Sequence, residues 1–265
     1  MSAASSSVGA VRVFDERFGT GGSEGGALDG ALWVDHYLPH WSTPDRSRAR
    51  YHLAPGGGLV LRIDADQPAW RPDEGRMRVS SIQTATFSGP VGSGHGTHRH
   101  REGLDVVTAV PTRLLWAPAG AGRVDVWMRS SPDPTCMLAA WLVGVEAGDP
   151  RESGEITVAE LFGDARGTAR LGVKALKDPG LRDDVADVAL PFDSADGVHR
   201  YAAEWDATGV RFAIDGRCVH ESHQRIDYPL MLLVDLFEFP VGDERPPGEY
   251  PKAALVQRIV GDDRS

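Results

Sequence analysis

Glycine and proline interrupt this chain so often that no long helix has room to form. The 31 glycines and 18 prolines fall in nearly every gap between apolar segments. Glycine weakens a helix through backbone entropy, and proline removes a donor and fixes its own φ. The segments between these breaks carry the two-residue period of strands. In "GRVDVWMRS" (122–130), Val124, Val126 and Met128 share one face while Arg123, Asp125, Trp127 and Arg129 share the other. "GLVLRID" (58–64) alternates in the same way. "VRFAID" runs through "DG" at 215–216 into "RCVHE", a hairpin with the turn residues its geometry demands. "CMLAAWLVGV" (136–145) is apolar at both parities, as in a central strand covered on both faces. "HRYAAEW" (199–205), "PLMLLVDLFEF" (229–239) and "KAALVQRIV" (252–260) complete the pattern.

Many short strands spread over 265 residues predict an all-β sandwich or barrel, with the whole of 1–265 as one domain. Residues 1–30 read as an N-terminal strand followed by the loop "GTGGSEGGALDG" (19–30). Apolar content of 41% suits a sizeable core. A formal net charge of −10 argues against a nucleic-acid partner. No apolar run approaches a membrane span, and the N-terminus has neither a basic nor an apolar leader segment. The expectation is therefore a cytoplasmic monomer with no membrane contact, although a chain already cut from its leader would read the same and be secreted. Cys136 and Cys218 lack zinc or redox spacing and read as two buried, reduced thiols.

The stretch "ESGEITVAELFG" (152–163) poses a geometric question. Glu155 and Glu160 are five residues apart, so in a regular strand they point to opposite faces. A β-bulge within Thr157–Ala159 would reset the alternation and bring Glu155, Thr157 and Glu160 to one face. Two carboxyls about 5–5.5 Å apart are what a retaining glycosidase requires, one as nucleophile and one as acid/base. Two ordinary solvent-facing glutamates would show the same spacing.

Several motifs occur in one order. "SGEITVAELFG" resembles the active-site strand of glycoside hydrolase family 16. "GRVDVWMR" (122–129), "AAWLVG" (139–144), "DGVHRYAAEWDATGVRFAIDG" (196–216) and "DYPLMLLVDLFEF" (227–239) resemble that family's other landmark strands. The resemblance covers about 122–260. It implies a concanavalin A-like jelly-roll β-sandwich of two antiparallel sheets, one concave and lined for carbohydrate. It also implies Glu155 as nucleophile, Glu160 as general acid/base, Trp141 and Trp205 flanking the cleft, and Arg123 on sugar hydroxyls. The activity implied is a retaining endo-type hydrolase or transglycosylase on β-linked polysaccharide, of the β-1,3/1,4-glucan kind. The alternative is a carbohydrate-binding protein with weak or no turnover. Polysaccharide or oligosaccharide is the expected partner. No organic cofactor is implied, and a structural calcium is not readable from the sequence.

The chain departs from the family pattern at two places. Thr157 stands where the family carries an aspartate between the glutamates; it keeps a hydrogen-bond donor and loses a negative neighbour, which eases ionisation of both carboxyls unless burial compensates. Lys174, in "GVKALKDP", stands where the family often carries a histidine, and a cation there would hold a carboxylate ionised. The dense histidines of "GSGHGTHRHREG" (92–103), His95, His98 and His100, read as a solvated loop in preference to a metal site or the rim of the cleft.

Overall fold

The computed structural model describes residues 12–19, 26–239 and 248–264. Its strands are β1 (Arg12–Glu16), β2 (Arg50–Leu53), β3 (Leu59–Ile63), β4 (Arg78–Gln83), β5 (Ala85–Thr86), β6 (Arg113–Leu114), β7 (Gly122–Arg129) and β8 (Cys136–Gly144). They continue as β9 (Glu155–Phe162), β10 (Thr168–Lys174), β11 (Asp184–Ala189), β12 (His199–Asp206), β13 (Gly209–Ile214), β14 (Arg217–Ser222), β15 (Leu230–Glu238) and β16 (Lys252–Asp263). Among the described residues, one turn of 3-10 helix (Pro39–Trp41) and one of α-helix (Pro44–Ser47) interrupt them. The loops at 19–30 and 238–251 lie partly outside the described residues.

Two antiparallel sheets dominate. The six-stranded sheet runs β11-β10-β9-β8-β15-β4, and the eight-stranded sheet runs β14-β13-β12-β7-β16-β3-β2, with β1 also on β16. Alternation sets their inner faces. Val124, Val126 and Met128 of β7 meet Leu138, Ala140 and Leu142 of β8 in one core between the sheets. β8 and β15 are buried at every position, as the apolar run at 136–145 predicted for a strand covered on both sides.

The cover on the other side of β8 is a second core. Met137, Ala139, Trp141 and Val143 of β8, with Met231, Leu233 and Phe237 of β15, pack on the outer face of the six-stranded sheet against Tyr37, Leu38, Trp41, Trp70, Leu104 and Val106. The segment between β1 and β6 thus roofs the β4–β15–β8 half of that face. The β9–β10–β11 half is left to polar side chains. Both cysteines are free; Cys136 is buried, but Cys218 is exposed on β14, an edge strand with no second layer outside it.

Candidate active site

β-Branched Ile156, Thr157 and Val158 favour extended backbone at the start of β9. The pairing then slips. Ala140 faces Ala159 and Trp141 faces Thr157, so Val158 has no partner on β8. On the other side Glu160 faces Arg170 and Thr157 faces Gly172, which sets Val158 and Ala159 against the single Leu171. Val158 and Ala159 both turn into the core between the sheets. Two consecutive inward residues reset the alternation, so Glu155, Thr157 and Glu160 share the outer face.

Cross-strand register arranges that face in rows. One row runs Gln83–Leu233–Trp141–Thr157–Gly172–Val185, and the next runs Ser81–Asp235–Ala139–Glu160–Arg170–Asp187. A third pairs Val143 with Glu155 and Glu155 with Lys174. Lys174 Nζ lies 2.9 Å from Glu155 Oε1 and 2.7 Å from Glu160 Oε1. The two oxygens are therefore no farther apart than the sum of those distances, about 5.6 Å. Thr157 Oγ1 donates to Glu155 Oε1 at 2.6 Å.

Burial grades the two carboxyls. The Glu155 side chain is 5% exposed and that of Glu160 13%. Burial raises the Glu155 pKa above the ordinary carboxylate range, against the charge of Lys174 and the Thr157 hydrogen bond, with Glu160 adding to the rise. The compensation by burial is thus present at Glu155. Burial alone would lower the pKa of Lys174, but the two glutamates outweigh it and hold the ammonium charged.

Trp141 stands beside the pair at 6% exposure, its Nε1 donating to Asp235 Oδ2 at 2.5 Å. The His98 ring meets it edge-on, centroids 5.0 Å apart. One edge of the indole therefore borders the carboxylates while the roof covers the rest.

Two expected cleft residues are elsewhere. Trp205 is 1% exposed inside the core between the sheets, its ring packed so closely on Gly122 that a Cβ there would lie 2.5 Å from it. Alternation along β12 sends Tyr201, Ala203 and Trp205 inward together, so Trp205 cannot reach a sugar at Glu155. Arg123 lies on the other sheet, on the face opposite Val124, and forks onto Asp125 at 2.7 and 2.9 Å with Glu204 at 3.2 Å. The hydrogen bonds to Asp125 raise its pKa and commit its donors within the protein.

The 92–103 loop is not solvated throughout. The Thr97 carbonyl accepts from Trp41 Nε1 at 2.8 Å and lies 2.9 Å from His40 Nε2, while Thr97 Oγ1 donates to the Val145 carbonyl at 2.7 Å. Gly96 has no room for a side chain, since a Cβ would lie 2.5 Å from the His40 ring. Burial lowers the His98 pKa to about 3 and that of His40 to about 4, so both rings are neutral at pH 7. Among the described residues, no three His, Cys, Asp or Glu side chains are grouped to hold a metal, and no helix is long and apolar enough to cross a membrane.

Asp235 escaped notice in the sequence. Burial, against the hydrogen bond from Trp141 and with help from Glu155, pushes its pKa up to about 7. A lone aspartate in "LMLLVDLFEF" was the available signal, because an ionisable group in a strand buried on both faces needs a reason.

Fold and site together define the class: a concanavalin A-like jelly-roll sandwich bearing a carboxylate pair on one sheet face. Residues 118–233 match the model for glycosyl hydrolases family 16. Among solved structures, a GlcNAcα1-4Gal releasing endo-β-galactosidase from Clostridium perfringens aligns with a TM-score of 0.79 at 22% identity, over 99% of this chain. The chain spans 64% of that protein's length. The Bacillus licheniformis β-glucanase aligns with a TM-score of 0.62 at 16% identity, over 94% of this chain and 97% of its own. The laminarinase catalytic domain from Thermotoga maritima aligns at 0.63 and 16%, over 94% and 96%. At these identities the likeness is one of fold. No curated protein matches the chain.

Proposed function

We propose that the protein is a retaining, endo-acting glycoside hydrolase or transglycosylase on β-linked polysaccharide of the β-1,3/1,4-glucan kind. The observation that carries this reading is the shared contact with Lys174, which keeps the nearest oxygens of Glu155 and Glu160 within about 5.6 Å. That separation is in keeping with a retaining pair, at roughly 5–5.5 Å, and shorter than the roughly 6.5–9.5 Å of an inverting one. The activities for which the aligned structures are named, an endo-β-galactosidase, a β-glucanase and a laminarinase, support a β-linked substrate.

In this mechanism Glu155 attacks the anomeric carbon while Glu160 gives its proton to the departing glycosidic oxygen. Glu160 then takes a proton from water, or from a sugar hydroxyl in transfer, and that oxygen displaces Glu155 with a second inversion. Thr157 holds Glu155 by its hydroxyl, in a place where no second carboxylate competes for the proton. Lys174 favours the ionised form of Glu155, which suits the nucleophile, and its ammonium occupies Glu160 Oε1, which opposes the acid step. A sugar entering over Glu160 has to draw the ammonium aside before the acid step.

That same ammonium favours a second reading, a glycan-binding protein with little turnover. Proton NMR of the first product formed from a β-glycan separates the two readings. A β-anomer appearing first supports the retaining mechanism, an α-anomer first would contradict it, and no product would leave the binding reading.

A further inference from the structure

The histidine loop and the ends of β8 and β10 enclose a pocket of about 310 Å³ that the carboxylate mechanism does not use. This is near the lower size of small-ligand sites, roughly 300 Å³. Phe87, His95, Arg99, Glu146 and Lys177 line it. Glu146 lies three residues past Val143, and Lys177 three past Lys174, and both of those residues pair with Glu155. The His98 backbone bonds Glu146 while the His98 ring lies 5.0 Å from that of Trp141, so the pocket adjoins the carboxylate face.

The pocket's charges are unevenly committed. The Glu146 side chain is 1% exposed and both its oxygens are taken, Oε1 by the His98 backbone N–H at 2.6 Å and Oε2 by Lys177 Nζ at 2.6 Å. Lys177 has three N–H donors, and its side chain is 39% exposed. Arg99 gives Nε to the Leu104 carbonyl at 3.0 Å and reaches Asp105 only at 3.9 Å. Its guanidinium lies flat on Gly94, where a Cβ would be 2.6 Å away. Two cations therefore present donors to a space whose one carboxylate is spent, with the Phe87 ring as an apolar wall.

Resting on the glycosidase reading, we propose that this pocket is a subsite for an anionic sugar, one bearing a carboxylate or a sulfate, within one or two units of the cleaved bond. Lys177 and Arg99 bind the anion. The glycines of "GSGHGTHRH" are there to let Arg99 lie on Gly94 and to let the loop pack on His40. The substrate class narrows accordingly to β-glycans that carry acidic groups.

The test uses the wild-type protein and three forms of one backbone: laminarin, laminarin oxidised to carboxylate at C6, and sulfated laminarin, with the same set made from agarose. Initial rates on each give KM and kcat. An acidic form with a KM about tenfold below the neutral one, the scale of one charge-assisted hydrogen bond, is expected. Lys177→Met should bring that ratio close to one. It also leaves Glu146 buried without its ion partner, so Arg99→Met is run beside it, with thermal melts of both. Preference for the oxidised over the sulfated form assigns the anion as carboxylate, and the reverse as sulfate. A neutral form preferred by the wild type, or a ratio unmoved in Arg99→Met, overturns the subsite and leaves the glycosidase reading standing. If no form is cut, that reading fails, and calorimetric binding of the same glycans decides the pocket. Binding of an acidic form that Arg99→Met weakens about tenfold sustains it, and equal or absent binding overturns it.

Discussion

The two halves of the six-stranded sheet's outer face have opposite chemistry within one register. Over β4, β15 and β8 the rows end in Leu233, Trp141, Phe237 and Met137, sealed under the 36–108 segment. Over β9, β10 and β11 the same rows continue as Thr157, Glu160, Arg170 and Asp187, with charge in place of a roof. The boundary falls at Trp141, whose one edge is roofed by His98 and whose partner across the strands is Thr157. The difference shows that a single sheet face can be both core and site when an inserted segment covers half of it. It also sets the surroundings of the carboxylate pair at that boundary. Burial beside the roof raises Glu155, and the open half supplies Lys174.

The contrast can be broken by mutation, beginning with the largest effect. Glu160→Gln should lower turnover of a polysaccharide by about 10² to 10⁴, and much less for an aryl glycoside whose leaving group needs no acid. Equal losses on both substrates would remove Glu160 from the acid role. In the sealed half, Leu233→Ala should cost about 2–5 kcal/mol in denaturant melts. In the open half, Arg170→Ala, which breaks an exposed pair with Asp187 and a cation–π contact with Phe162, should stay within about 1 kcal/mol. Similar costs for both would mean that the halves are not energetically distinct.

Titrations sharpen the boundary further. Asp235 keeps its proton in the folded protein up to about pH 7, whereas an aspartate in the unfolded chain loses it at about pH 3.9. Between about pH 4 and 7 the unfolded chain binds fewer protons at this group, so its contribution to stability falls as pH rises, by up to ~1.4 kcal/mol per pH unit. Asp235→Asn cannot ionise and should flatten that part of the melting profile, while an unchanged slope would mean that the buried aspartate is not protonated there. Lys174→Met removes a cation that lowers the pKa of Glu155. The limb of the pH–rate profile set by ionisation of Glu155 should then move to higher pH, and a shift to lower pH would show that Lys174 does not act on Glu155 by charge.

Much of this was legible in the sequence, for physical reasons that differ by residue. Alternation named the inward residues of β7, and the doubly apolar 136–145 run identified a strand covered on both faces. The five-residue spacing of Glu155 and Glu160 required a bulge, and Val158 supplies it. Lys174 was found because its strand lies next to β9. Trp205 and Arg123 hold the motif positions but not the cleft: both lie on the eight-stranded sheet, and parity turns Trp205 into the core and Arg123 onto the outer face. The roof was not legible. Its residues, from Tyr37 to Val106, lie mostly in loops without a period, and what fixes them is contact with strands about a hundred residues away in sequence. For the same reason the 92–103 loop read as solvent-exposed, since nothing local shows that the Thr97 carbonyl is held by Trp41.

The central claim is that the bulged strand makes Glu155 and Glu160 a working pair. Reducing-sugar release from laminarin, lichenan, xyloglucan, agarose and carrageenan, by the wild type beside Glu155→Gln, tests it most directly. Release by the wild type that falls to background in Glu155→Gln, with the variant still folded, is the predicted result. Release that survives the substitution, or none from the wild type on any of the five, would contradict it.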